Sequence, residues 1–238
     1  MTTVEGRVAL ITGASSGIGA ASAHALAAAG ARVALGSRRG GDLGIEGALA
    51  ETCDVRDPGQ VEALAAAVVD RFGRLDIVVA NAGVGAYGDF LSLDPEHLEE
   101  MIDTNVKGLL YTVRATLPHL LESDSADLVV VASVAGQRGP EGEAVYASSK
   151  FAQVGFMRSL DHELYRRGVR CSTIAPGGVH TEFAMGRGRV TQWTTASAIS
   201  SGLIISARSG SPGDRPRPIA NSVWTPPGAI VEQRTPWR

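Results

Sequence analysis

Short apolar runs alternate with helix-like stretches along this chain. Residues 7–12 (Arg-Val-Ala-Leu-Ile-Thr) are apolar without alternation and end at Thr-Gly, the pattern of a strand buried on both faces. Residues 17–29 place Ile18, Ala21, Ala25 and Leu26 on one helical face before Gly30 stops the helix. Residues 32–36 predict a second strand and 47–53 a weaker third. Asp57-Pro58 opens a helix with proline at its first position; it runs to Phe72 and stops at Gly73. A fourth strand is expected over 75–80. Asp94 N-caps the next helix, with His97 where a capping box would carry glutamate, and that helix is expected to continue to Leu121. A fifth strand over 127–133, a long helix over 143–167, a sixth strand over 169–175, a helix near 195–207 and a strand over 219–224 complete the pattern.

Strands separated by helices need crossover connections, which predicts an α/β fold with a mostly parallel, doubly wound sheet and helices on both faces. Ligands of such sheets sit beyond the carboxyl ends of the strands. No break in composition precedes residue 207, and too little follows the loop-like stretch 209–216 to form another core, so residues 1–238 read as a single domain. Composition adds mainly exclusions. With 44% hydrophobic and 20% charged residues the chain is globular, and a net charge of -3 gives no footprint for nucleic acid or an anionic membrane. Cys53 and Cys171 are too far apart in sequence for a metal-ligand pair, and no metal site is expected. The first residues lack the basic and apolar regions of a signal peptide, and no uncharged apolar run of about 18 residues occurs. A soluble, cytoplasmic protein is the expectation.

Three places carry candidate chemistry. The first strand ends in Thr12-Gly13-Ala14-Ser15-Ser16-Gly17-Ile18-Gly19, three glycines at a strand-to-helix turn. Such a turn permits positive φ, lets backbone approach a pyrophosphate, and aims free N–H groups at its oxygens. The G-x-x-x-G-x-G spacing differs from the usual dinucleotide fingerprint. Alone it reads equally as a tight turn; its position between strand and helix favours a dinucleotide. The second strand ends in Ser37-Arg38-Arg39, with no acid before Asp42. A free ribose 2′-hydroxyl calls for an acid there and a 2′-phosphate for arginine, so NADP(H) is expected over NAD(H). The third place is the helix with Tyr146 and Lys150, which share a face at i and i+4. An ammonium beside a phenol would lower the phenol pKa and make Tyr146 a general acid/base. Lys150 is one of only two lysines, and Ser133, ending the fifth strand, is placed to hold a carbonyl oxygen.

Together these residues resemble the classical short-chain dehydrogenase/reductase family, over about residues 5–181 and more loosely to 224. The likeness rests on the glycine turn, Asn81-Ala82-Gly83 after the fourth strand, Asn105 in the long helix, Ser133, Tyr146 with Lys150, and Pro176-Gly177 after the sixth strand. It implies a Rossmann-type fold in which Tyr146 exchanges a proton with the substrate oxygen. Lys150 would tune that phenol and bind the nicotinamide ribose, Ser133 would orient the carbonyl, and Asn105 would hold a water linking Lys150 to solvent. Gly13, Ser15, Ser16, Gly17, Ile18 and Gly19 would cradle the pyrophosphate, and Ser37, Arg38 and Arg39 the adenosine ribose. Asp54 and Val55 would meet the adenine, Asn81, Ala82 and Gly83 would brace the sheet and touch the cofactor, and Pro176, Gly177, Val179 and Thr181 would contact the nicotinamide end. Homo-oligomers, dimers or tetramers, are usual in the family.

Two segments depart from the family pattern. Residues 39–47, with glycines at 40, 41, 44 and 47, are expected to form a loop where relatives carry a helix, because each glycine costs a helix about 1 kcal/mol. That would leave one sheet face poorly covered near the adenine pocket. Residues 182–194 offer only a short substrate lid, in which Phe183, Met185 and Trp193 line a pocket or pack on the core, and the tail 225–238 reads as irregular. The leading expectation is an NADP(H)-dependent oxidoreductase interconverting an alcohol and a ketone or aldehyde of small size. The alternative is a nucleotide-binding regulatory or scaffold protein with little turnover, for which the glycine-rich segment and thin lid speak.

Overall fold

The computed structural model describes residues 3–178, Phe183 and the backbone of 204–207. Seven strands, β1 (Val8–Thr12), β2 (Arg32–Ser37), β3 (Leu49–Thr52), β4 (Ile77–Ala80), β5 (Ala126–Val131), β6 (Val169–Ala175) and β7 (Ile204–Ala207), form one sheet in the order β3-β2-β1-β4-β5-β6-β7. The first six are parallel. The chain winds outward from β1 to β3, then crosses to β4 and winds the other way, so the crevice between β1 and β4 is the topological switch point.

β7 corrects the expected helix near 195–207 at its last four residues. Their backbone pairs antiparallel with β6, from Ser172 with Ala207 to Ala175 with Ile204. The free edge of β6 offers hydrogen bonds to an extended partner, and consecutive isoleucines favour that conformation. The rest of that expected helix, the strand over 219–224, the tail, and the lid apart from Phe183 lie outside the described residues.

Alternation along the strands sends side chains to both faces. Val8, Leu10, Ala34, Val78 and Leu128 pack against α2 (Pro58–Phe72), α4 (Gly108–Leu120) and α5 (Ala144–Leu164). Ala9, Ile11, Val33, Leu35, Ile77 and Val79 face α1 (Gly17–Ala28) and the 38–48 segment. In α2 the Asp57 carboxylate caps Gly59 N–H at 2.8 Å and Gly73 closes the helix in the left-handed conformation. A cap contributes about 1 kcal/mol and each fully buried aliphatic about 2 kcal/mol, so the Val61, Leu64 and Val68 stripe, not the cap, decides where α2 lies.

α1 packs differently from expectation. Gly19 and Ala23 are its buried residues, Leu26 is half-buried, and Ala21 and Ala25 are exposed. In a helix of alanines the apolar pattern carries little information; closeness of approach selects the face with the smallest side chains. The 38–48 segment is a series of turns, as expected, but it does not leave the sheet bare. Leu43, held at φ +58, Ile45 and Ala48 lie over that face, and Val33 and Leu35 are buried beneath them.

The stretch expected as one helix from 95 to 121 is three pieces. α3 (Pro95–Met101) gives way to a π-helical segment, Ile102–Lys107, before α4 begins. Such wide turns are rare and gather at functional sites. Asn105 sits inside this one.

Candidate active site

Asn81 builds the floor of the switch-point crevice. Its Nδ2 donates to Thr12 O at 3.0 Å and Gly13 O at 3.1 Å, while Thr12 Oγ1 accepts from the N–H groups of Asn81 and Ala82 at 3.2 Å each. Gly13 has φ +65, and a Cβ there would lie 2.7 Å from Ala82 Cα. At Gly19 a Cβ would lie 2.4 Å from Gly13 O and 2.5 Å from Asn81 Nδ2. Gly19 therefore lets α1 begin directly under the turn.

Above this floor lies a cleft of about 420 Å³. Gly13, Ser15, Ser16, Gly17, Ile18, Ser37, Arg38, Arg39, Asp54, Val55, Ala82 and Gly83 line it. Of the expected cofactor residues, Gly19 and Asn81 stand behind this wall, Pro176 and Gly177 follow β6 outside it, and Val179 and Thr181 lie outside the described residues. Cys53, Val84, Gly85, Thr104 and Phe183 also line the cleft and were not expected there. Thr104 is notable because its buried Oγ1 has no hydrogen-bond partner among the described residues.

Where the cleft meets the end of β2, Arg39 donates from Nη2 to Ser16 Oγ at 2.7 Å and from Nε to Ser15 Oγ at 3.1 Å, drawing a guanidinium over the glycine turn. Arg38 is half-exposed and pairs with Glu100 at 3.4 Å. Asp54 is held below the usual carboxylate range, chiefly by its hydrogen bonds from Arg56.

The expected catalytic residues Asn105, Ser133, Tyr146 and Lys150 stand outside this lining, where Ser133 caps the short turn after β5, its Oγ accepting from Ala135 N–H at 3.1 Å. Tyr146 is buried between Tyr87 and Phe183, with ring centroids 5.6 and 5.8 Å away. Lys150 Nζ lies 5.7 Å from the Tyr146 ring centre and donates to Val131 O at 3.2 Å and Gln153 Oε1 at 3.1 Å. Asn105 is fully buried. Its Oδ1 accepts from Val84 N–H at 2.8 Å, and its Nδ2 donates to Val84 O at 2.8 Å and Ser149 Oγ at 3.0 Å.

One expectation about this quartet runs against the structure. The phenol is not lowered: burial pushes Tyr146 up to about 12, a Ser133 hydrogen bond pulls it down, and the Glu143 charge adds to the rise. Burial likewise pushes Lys150 down to about 7. In a dry pocket desolvation disfavours both charged forms and outweighs their mutual attraction. A side chain also joins Asn105 to Lys150. Gln153 Nε2 donates to Asn105 O at 2.7 Å while its Oε1 accepts from Lys150, so one side-chain amide spans the two. Gln153 was missed because a single glutamine on a long helix ordinarily reads as surface.

Among the described residues no helix is long and apolar enough to cross a membrane. Residues 7–191 match the family model described as short chain dehydrogenase. The chain is 38% identical over 188 residues to an uncharacterised oxidoreductase of Staphylococcus haemolyticus, covering 76% of this chain and 81% of that one. It is similar to the crystal structure of a 3-ketoacyl-(acyl-carrier-protein) reductase from Brucella melitensis complexed with NADH, with TM-score 0.73, 30% identity, and coverage of 77% and 81%. A short chain dehydrogenase from Burkholderia cenocepacia in complex with NADP superposes with TM-score 0.72 at 32% identity, covering 76% of this chain and 78% of that one.

Proposed function

The chain belongs to the short chain dehydrogenase family and is an oxidoreductase, and we propose that it uses NADP(H) to interconvert a small ketone or aldehyde with its alcohol. The observation that carries the cofactor preference is the pairing of Arg39 with Ser15 and Ser16, beside Arg38 and with no acid at the end of β2. A guanidinium held on two hydroxyls, with a second guanidinium lining the same cleft, fits a 2′-phosphate, whereas the end of β2 itself offers a bare 2′-hydroxyl no carboxylate to accept its proton. The similar structures do not decide between cofactors, since one holds NADH and the other NADP.

The cleft fits a dinucleotide. The glycine turn clears room for a pyrophosphate, and the orphaned Thr104 hydroxyl points to a missing polar partner. The bound nicotinamide supplies or accepts the hydride. Ser133 hydrogen-bonds the substrate oxygen and Tyr146 delivers its proton. Because burial keeps the phenol protonated at neutral pH, Tyr146 is poised as a proton donor, which suits carbonyl reduction. Lys150, fixed by Val131 and Gln153, would hold the nicotinamide ribose, and Asn105 fixes the π-helical segment against Val84. The regulatory reading loses its main support, because Leu43 and Ile45 cover the face that a missing helix was expected to expose. Exposed Leu110 on α4 and Phe151 on α5 support a homo-oligomer, and a cytoplasmic location remains part of the proposal.

The test is fluorescence titration with NADPH and NADH of the wild-type protein and of Arg38→Ala and Arg39→Ala. Tighter NADPH binding that both variants weaken selectively is expected; equal losses for both cofactors would refute the 2′-phosphate assignment. Tyr146→Phe is expected to keep binding and lose turnover.

A further inference from the structure

The end of β2 carries no acid of its own, yet a carboxylate reaches it from elsewhere in the chain. Glu100 Oε1 accepts from Arg38 Nη1 at 3.4 Å across 62 positions of sequence. Glu100 stands on the last turn of α3, a helix started by the Asp94 cap on Glu96 N–H at 2.9 Å and anchored by buried Met101. That seat leaves the Glu100 side chain 16% exposed, against 50% for Arg38. The helix places the carboxylate, and the long arginine side chain reaches to it.

The two arginines after β2 are therefore held differently. Arg39 lies on the Ser15 and Ser16 hydroxyls at the glycine turn, and Arg38 lies on a carboxylate of α3. The other carboxylate near Arg38, Asp54, is engaged by Arg56, whose Nε donates to both its oxygens at 3.0 Å. The Arg38 charge is the smallest of the causes that lower the Asp54 pKa. Arg38 lines the cleft, as does Thr104, four residues beyond Glu100 in the π-helical segment. The ion pair thus ties the β2 wall of the cleft to the helix that leads into its Thr104 wall. A guanidinium shared with a carboxylate has less charge to offer a second anion, and a half-exposed pair is weak enough to exchange.

We propose that Glu100 is a specificity-determining residue, acting through Arg38, that restrains the preference for a 2′-phosphate. It holds Arg38 when that phosphate is absent and competes with the phosphate for the guanidinium when it is present. The acid missing from the end of β2 thus acts from α3, as a brake on selectivity. This inference rests on the proposed 2′-phosphate site, and the experiment separates the two.

The experiment measures, by calorimetry, binding of adenosine 2′,5′-bisphosphate and adenosine 5′-monophosphate, which differ only by the 2′-phosphate. The proteins are wild type, Glu100→Gln, Glu100→Ala, Arg38→Ala and the double variant Arg38→Ala with Glu100→Gln. Glu100→Gln keeps the shape and removes the charge, and Glu100→Ala removes both. Both are expected to bind the bisphosphate at least about threefold tighter than wild type, the size of one exposed charge pair, with the monophosphate unchanged. The gain is expected to vanish in the Arg38→Ala background. Unchanged or weaker bisphosphate binding in Glu100→Gln overturns the proposal, and so does a gain that survives Arg38→Ala. A selective loss of the monophosphate in Glu100→Gln also overturns it, because Glu100 would then be the acceptor of a free 2′-hydroxyl. Equal binding of the two nucleotides by wild type, with a bisphosphate preference appearing in Glu100→Gln, keeps the brake and rejects NADP(H) as the preferred cofactor. Equal binding in every variant overturns both.

Discussion

Replacing Asn105 with aspartate changes one atom in the best-satisfied buried side chain of the site. Asn105 Oδ1 keeps its bond from Val84 N–H, but the Nδ2 that donated to Val84 O and Ser149 Oγ, at 2.8 and 3.0 Å, becomes an oxygen. Ser149 cannot compensate without giving up its own bond to Tyr146 O at 2.7 Å. Two hydrogen bonds are lost and two acceptors face each other out of water, at about 1–3 kcal/mol per unsatisfied buried group, which gives a loss of about 3 kcal/mol. For a chain of this size that corresponds to roughly 6–12 °C in melting temperature. The deficit should shrink as the pH is lowered, because a protonated aspartate regains one donor towards Val84 O. Urea denaturation followed by far-ultraviolet circular dichroism at pH 8 and pH 5 checks both points. A variant melting within 2 °C of wild type, or a deficit that grows in acid, would refute the hydrogen-bond assignment at the π-helical segment.

Gly19→Ala should destabilise by about 1–3 kcal/mol and weaken dinucleotide binding, since its Cβ would meet Gly13 O at 2.4 Å. Gly155→Ala, in mid-helix with nothing within 4 Å of the new Cβ, should instead stabilise by up to about 1 kcal/mol, and thermal melts of the two separate close packing from glycine loss in general. Lys150 has a folded pKa near 7 against an ordinary value of 10.5, so the unfolded chain binds the extra proton between those values. Its contribution to stability is therefore fully present above pH 10.5 and is lost as pH falls towards 7. Relative to Lys150→Met, wild type should gain stability between pH 7 and pH 10 in urea melts; a flat difference would show that the amine is not desolvated.

Much of this was legible where one local signal dominates. Asp57-Pro58 with Gly73 marks both ends of α2, and unbroken apolar runs mark β1 and β4. The glycine turn and the end of β2 were likewise found to share one cleft. What stayed silent depends on contacts far along the chain. No spacing signal marks a wider turn in Ile102–Lys107, and that turn accompanies the bonds from Asn105 to Val84, 21 positions away. Leu43 at φ +58 covers a sheet face from a segment whose glycines pointed only to a loop. The Tyr146 and Lys150 titrations follow burial, which spacing on a helix does not reveal. Glu100, Gln153 and Thr104 are single polar residues, and only their neighbours give them meaning.

The π-helical segment also separates what the fold needs from what the site needs. A wide turn holds one residue more than the same length of α-helix needs. Deleting any one residue within 102–107 would let α3 run into α4 with regular hydrogen bonding, a more favourable helix by itself. It would leave α3 and α4 close to their present register, because the wide turn already absorbs the extra residue, and the cost would fall on the turn itself, on Asn105 and its bonds to Val84. A single lost codon here would therefore make the helix more regular and leave the sheet and its flanking helices in place, while taking from the site the one turn that sets Asn105 opposite Val84.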